Sequence, residues 1–106
     1  MNLQKLMKEA QKAQRKMAEA QEKLAAMTVE GTAGGGLVTV TANGEGTVTS
    51  VKLDPSTVDP NDVELLEDLI TAAVADAQRK AKELQESEMG QAMGGLGGMG
   101  DLGGMF

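Results

Sequence analysis

The sequence of 106 residues contains no cysteine and no histidine. Without cysteine there is no disulfide and no thiolate nucleophile, and without either residue the usual zinc ligand sets are excluded. The absence of histidine also removes the side chain that most often serves as a general base. We therefore expect no catalytic site, no metal site and no resident cofactor.

Aromatic residues are nearly absent as well, because Phe106 is the only one. A hydrophobic core has to be built from Leu, Val, Ile, Met and Ala, and a single small domain of this kind is only marginally stable. The composition therefore favours an oligomer that buries additional apolar surface. It also argues against an aromatic-lined pocket for a small-molecule substrate.

The sequence also lacks long apolar runs. No segment approaches the roughly 18–20 apolar residues of a membrane span, and no secretory signal peptide is visible. We therefore expect a soluble cytoplasmic protein without a membrane partner. Its net charge of −6 and pI near 4.5 mean that any contact with nucleic acid has to be local.

Residues 2–27 have the periodicity of an amphipathic helix. Apolar or small side chains recur at alternating intervals of three and four, which is typical of a helix that packs along another helix. Such a helix would be roughly 39 Å long, more than a thin core can cover, so part of it should project or pair with another chain. We call this stripe the seam; it consists of Leu3, Leu6, Ala10, Ala13, Met17, Ala20, Leu24 and Met27.

The opposite face of this helix is basic in its first half and acidic in its second, where Glu19 and Glu22 lie. Residues 1–27 contain six Lys and Arg against three Asp and Glu, whereas residues 28–106 contain four against thirteen. Cations near a helix N-terminus oppose its dipole at roughly 0.3–1 kcal/mol each, so their concentration there indicates an anionic partner. The alternative is an ordinary solvated face. We call the candidate phosphate-binding residues the basic stripe; they are Lys5, Lys8, Lys12, Arg15 and Lys16.

Three Thr- and Val-rich segments come next and predict strands at residues 28–33, 37–42 and 47–53. Gly34-Gly35-Gly36 forms the first turn, and Asn43-Gly44 is expected to supply positive φ in the second. Neither this glycine cluster nor Gly44-Glu45-Gly46 lies at the start of a helix, and neither is followed by Lys-Ser or Lys-Thr. Phosphate-binding loops are therefore disfavoured. The pattern predicts an antiparallel meander with one face free for the helices.

A second helix is predicted from Asp59-Pro60, which suit the N-cap and the first helical position, to about Glu86. Its apolar residues from Val63 to Leu84 form a broad stripe suited to packing on a sheet. Its carboxylates are expected to be helix-face or first-turn acids rather than catalytic pairs; they are Glu64, Glu67, Asp68 and Asp76. Three cations near its predicted end either complement the helix dipole or form a second phosphate-binding surface; they are Arg79, Lys80 and Lys82.

Residues 87–106 are of low complexity, with eight Gly and four Met. This composition predicts a disordered tail, although its methionines would also suit a soft apolar binding segment. The chain is therefore expected to divide into an ordered domain at 1–86 and a tail at 87–106.

The order helix, three strands, helix, with a basic first helix and a Gly/Met-rich tail, resembles the YbaB/EbfC family of bacterial nucleoid-associated proteins. The resemblance covers residues 1–86 and depends on three segments together rather than on one motif. One departure is Ala75-Asp76-Ala77, where Asn is expected in place of Ala75. The three segments are LQKLMKEAQKAQRKMAEAQEKL, VEGTAGGGLVTVTANGEGTVTSVKLDP and DVELLEDLITAAVADAQRKAKE.

This resemblance implies an α+β fold of order α-β-β-β-α, assembled into a homodimer through the sheets, with long helices projecting like tweezers. It implies binding to double-stranded DNA with weak or variable sequence preference, and a role in nucleoid organisation and gene regulation. It places the basic stripe on the helix that the family is thought to use for DNA. The three cations of the second helix lie on a secondary surface.

Two other functions remain open at this point. A prefoldin-like holdase chaperone would share the helix–hairpin–helix order, but it needs sustained heptads on both helices and an exposed apolar tip. A protein-interaction adaptor without DNA activity would suit the acidic pI. A titration against unrelated DNA duplexes at two salt concentrations distinguishes these classes.

Overall fold

The computed structural model describes residues 2–94, and the side chains of residues 2–92. It confirms the predicted α-β-β-β-α order in an elongated molecule with extents of 71, 28 and 16 Å. The predicted disorder from residue 95 onward lies outside the described residues. The elements are α1 (Leu3–Ala26), β1 (Thr28–Ala33), β2 (Val38–Asn43), β3 (Val48–Leu53), a 3-10 turn (Pro55–Thr57) and α2 (Val63–Gly94).

The three strands form one antiparallel sheet in the order β1-β2-β3, and each lies within one residue of its predicted position. Residues 34–36 all have positive φ, which is why glycine occupies this turn. Alternate residues of β2 are buried, namely Val38, Val40 and Ala42, and this face carries the helices. The opposite face of the sheet is rich in Thr and Ser, as expected for a sheet covered on one side.

The second hairpin differs from its prediction at Gly44. Positive φ occurs at Gly46, not at Gly44, while the Asn43 side chain accepts hydrogen bonds from the backbone N–H groups of Glu45 and Thr47. Gly44 is needed for a close approach: a Cβ there would lie 2.5 Å from the Leu24 carbonyl oxygen. Its N–H donates to Leu24 O at 2.8 Å, which ties the hairpin to the end of α1.

Helix α2 packs across β1 and β2 through a stripe of small residues. Ala73, Ala77 and Ala81 are fully buried at intervals of four. Opposite them, a Cβ on Gly31 of β1 would overlap Ala77 N and Ala73 O. Alanine and glycine therefore allow the helix backbone to approach the sheet directly, so the core is thin, as the composition predicts.

Both predicted ends of α2 are wrong. The helix begins at Val63, and the Asp62 carboxylate accepts from Leu65 N at 3.3 Å in the N-cap manner. Asp59 instead stabilises a preceding turn, accepting from Asn61 N at 2.9 Å. At the other end the helix runs through Gly94, so residues 87–94, predicted to be part of a disordered tail, are helical.

The extension of α2 packs antiparallel to the second half of α1. Lys23 pairs with Glu88 at 3.1 Å, and Gln85 donates to Gly44 O at 2.9 Å. The seam is buried here at Ala20 and Leu24. The first half of α1 projects beyond this contact, as the length of the helix predicts.

Candidate nucleic-acid interface

The N-terminal half of α1 extends past the last described turn of α2. Gln91 and Ala92 lie in a groove with Lys16 and Ala20, so no other described element accompanies residues 2–12. The helix begins at an N-cap, Asn2, whose side chain accepts from Lys5 N at 3.2 Å. We call residues 2–12, which span about 16 Å along the helix axis, the tip.

The basic stripe lies along the tip and the adjoining turn of α1. Lys5, Lys8, Lys12 and Arg15 are exposed, and within residues 2–94 none of them forms an ion pair. Lys16 is half-buried at the start of the groove against α2. The exposed members extend over about 15 Å of helix, which allows contact with several phosphates of one backbone.

The positive surface ends sharply along α1. Glu19 and Glu22 occupy the same face one and two turns further on, and both are exposed. The next cation, Lys23, is paired with Glu88, whose side chain is only 11% exposed. The tip therefore concentrates the accessible positive charge of an otherwise acidic chain.

The three cations of α2, Arg79, Lys80 and Lys82, lie in the middle of the helix. The prediction that they lie near its C-terminus, where they would complement the helix dipole, is therefore wrong. Arg79 pairs with Asp76 at 2.9 Å and with Glu83 at 2.7 Å. Lys80 lies 3.4 Å from Asp76 and donates to Glu30 O at 2.8 Å. These neighbours neutralise both cations, which leaves Lys82 as the exposed member without an ion pair among residues 2–94.

Asp76 has a structural role, whereas the sequence predicts only a helix-face acid at this position. Its carboxylate accepts from Thr32 N at 3.0 Å and bonds Arg79. The backbone hydrogen bond, together with the arginine, lowers the pKa of Asp76 to about 2. The spacing of Asp76 to Arg79 and Lys80 signals the ion pairs. The link to Thr32 depends on the fold and has no sequence signal.

The two edges of the sheet differ in accessibility. At β1, the Thr32 N–H and the Glu30 carbonyl are occupied by Asp76 and Lys80. No described element covers β3, where Val48 is 36% and Val51 45% exposed. An open edge with exposed valines is suited to pairing with another strand.

Two further features are absent from residues 2–94. Among them there is no group of three His, Cys, Asp or Glu side chains placed to hold a metal ion. None of the helices in this range is both long and apolar enough to cross a membrane.

The sequence is closely similar to curated bacterial proteins. A nucleoid-associated protein of Saccharopolyspora erythraea is 50% identical over 104 residues, covering 98% of this chain and 90% of the relative. One from Chloroflexus aurantiacus is 52% identical over 99 residues, covering 93% of this chain and 99% of the relative.

The fold has a solved counterpart in an uncharacterised protein of Helicobacter pylori. The two match with a TM-score of 0.78 at 20% identity, over 88% of this chain and 98% of the other. The family model described as the YbaB/EbfC DNA-binding family matches residues 1–96. Together with the identity to its nucleoid-associated relatives, this match shows that the chain belongs to the YbaB/EbfC DNA-binding family.

Proposed function

We propose that this protein binds double-stranded DNA mainly through its backbone phosphates, and that the basic stripe of α1 is the contact surface. The observation that carries the proposal is the projecting tip, whose cations are exposed and lack ion pairs among residues 2–94. The three cations of α2 have at most a secondary part, because acids of the same chain neutralise Arg79 and Lys80.

Contact with phosphates rather than bases is expected from the residue types. Four of the five stripe residues are lysines, which act as point charges on flexible stems and lack the rigid planar fork of arginine. Such contacts position a protein on DNA without selecting a sequence. Sequence-tolerant binding suits a role in nucleoid organisation and gene regulation in the cytoplasm.

We further propose a homodimer that joins two sheets through their β3 edges. The occupied edge at β1, the open edge at β3 and the exposed Val48 and Val51 support this arrangement. A dimer would present two tips and up to ten stripe cations, so that a weak contact at one tip is reinforced by the other.

Fluorescence anisotropy with several unrelated duplexes tests the proposal. The variant Lys8→Glu/Lys12→Glu/Arg15→Glu is expected to lose binding to all duplexes alike, while its melting temperature stays unchanged because these side chains pack on no described element. The matched control is Glu19→Lys/Glu22→Lys on the same face, which should hold or raise affinity. Unchanged affinity of the triple variant would show that the stripe is only a solvated face.

A further inference from the structure

The tip has an apolar face that no described residue covers. Leu3 is 69% exposed, Met7 57% and Leu6 47%. Exposed apolar side chains that lie together in one patch, unlike single scattered ones, indicate an interaction site. Leu3 and Leu6 belong to the seam that is buried further along at Ala20 and Leu24. The seam therefore keeps its packing pattern beyond the point where α2 ends.

The spacing of the seam is symmetric along the exposed tip and the next residue, Ala13, which is half-buried. Its members fall at intervals of three, four and three, and the two large residues precede the two small ones: Leu3, Leu6, Ala10 and Ala13. If two such helices lie antiparallel, Leu3 of one faces Ala13 of the other, and Leu6 faces Ala10. Every large side chain then meets a small one, which is the complementarity that close helix packing requires. A parallel pair would instead place leucine on leucine and alanine on alanine.

The seam and the basic stripe lie on opposite sides of the helix. At 100° per residue their centres are roughly 150° apart, so a helix can be paired through its seam while its lysines hold phosphates. Two paired helices are separated by about 8–10 Å, and both stripes would face outwards. Each stripe is then directed towards a different duplex.

We propose that the tips of two copies pair antiparallel through this exposed seam when both are bound to DNA, and thereby link two DNA segments. This inference rests on the proposed DNA-binding function. Three helical turns per copy bury far less than the roughly 1,200 Å² of a stable interface, and like charges on the two tips repel. Phosphates neutralise that repulsion, so the pairing depends on DNA.

A capture experiment tests the pairing in the full chain. One duplex is immobilised on beads, protein is added, and recovery of a second, labelled duplex is measured alongside anisotropy with a single duplex. For Leu3→Gln/Leu6→Gln, recovery should fall at least about tenfold, since these side chains supply most of the buried apolar area, while affinity for a single duplex stays unchanged. The control Val58→Gln/Leu65→Gln alters exposed apolar residues at the other end of the molecule and should behave as wild type.

Exchanging the large residue Leu6 with the small residue Ala10 tests the antiparallel register of the paired helices. Leu6→Ala alone should lower recovery because it leaves alanine facing alanine. Leu6→Ala/Ala10→Leu restores a large residue opposite a small one in the antiparallel pair and should recover the second duplex nearly as wild type does. A double variant no better than the single one would overturn the antiparallel register.

The remaining outcomes are distinct. If Leu3→Gln/Leu6→Gln recovers the second duplex normally, the two tips of one dimer suffice and the inference is wrong. If wild type recovers none but a chain without residues 95–106 does, the chain's own C-terminal segment covers the seam, which also overturns it. Failure of the proposed function looks different, since wild type would then bind no single duplex.

Discussion

Asp76 fastens α2 to the edge of the sheet. It accepts the hydrogen bond of the Thr32 N–H, an edge group of β1 that would otherwise be open, and pairs with Arg79 on its own helix. In the same region, Gly31 has no Cβ, and this allows the backbone of α2 to approach β1 closely. Single residues therefore fix the position of the helix that in turn supports α1.

The lowered pKa of Asp76 predicts an acid-dependent stability. Because the folded state favours the ionised carboxylate, its contribution is complete above the ordinary value of 3.8 and is lost as pH falls through about 2. Asp76→Asn should lower the urea midpoint of unfolding at pH 7. As the pH falls from about 4 to 2, the urea midpoint should also decline less in this variant than in the wild type. Asp68→Asn, an exposed acid on the same helix, is the control and should leave both unchanged.

Two glycines of the chain should respond oppositely to alanine. Gly31→Ala forces a Cβ into the backbone of α2 and should destabilise by about 1–3 kcal/mol. Gly90→Ala, on α2 with nothing within 4 Å of its Cβ position, should stabilise by about 0.5–1 kcal/mol. Denaturant unfolding measures both, and a stable Gly31→Ala variant would show that the helix can move off the sheet.

At the scale of elements, periodicity and turn residues were enough to predict both helices and all three strands. The end of α2 was not predictable in this way, because the glycines and methionines after Glu86 suggest a tail. The ion pair from Glu88 to Lys23 and the packing of this turn on α1 stabilise the helix there. Such contacts override local propensity and cannot be seen in a single segment.

Truncation separates the helical extension of α2 from residues 95–106. Removal of residues 87–106 deletes the partner of Lys23 and uncovers Ala20, so the melting temperature should fall by several degrees. Removal of 95–106 keeps those contacts and is the matched control, expected to melt closer to the full chain. Equal melting of the two truncated chains would mean that the extension adds no stability.

At the scale of the molecule, charge is separated along an elongated body: a basic tip on an acidic remainder. This separation would allow a chain of net charge −6 to make the proposed contact with DNA at one end. The stripe was predictable because its members share one helix. The hydrogen bond of Lys80 to the Glu30 carbonyl was not, because that acceptor lies 50 residues away in sequence.

The proposed dimer predicts a mass of twice 11.0 kDa in sedimentation at micromolar concentration. Val48→Asp/Val51→Asp places charges beside the open β3 edge and should shift the protein towards the monomer. Val58→Asp, at a valine that is 56% exposed outside the strand, is the control. A wild-type monomer would contradict the tweezer arrangement, and a dimer insensitive to the β3 variant would place the interface elsewhere.

The salt dependence of DNA binding tests the central claim most directly. If about half of ten stripe cations touch phosphates, the slope of log affinity against log salt should be about −4 to −5, and Lys8→Gln/Lys12→Gln/Arg15→Gln should reduce it to about −2. Lys52→Gln, an exposed lysine far from the tip, should leave it unchanged. A triple variant that keeps the wild-type slope would contradict phosphate contact by the basic stripe.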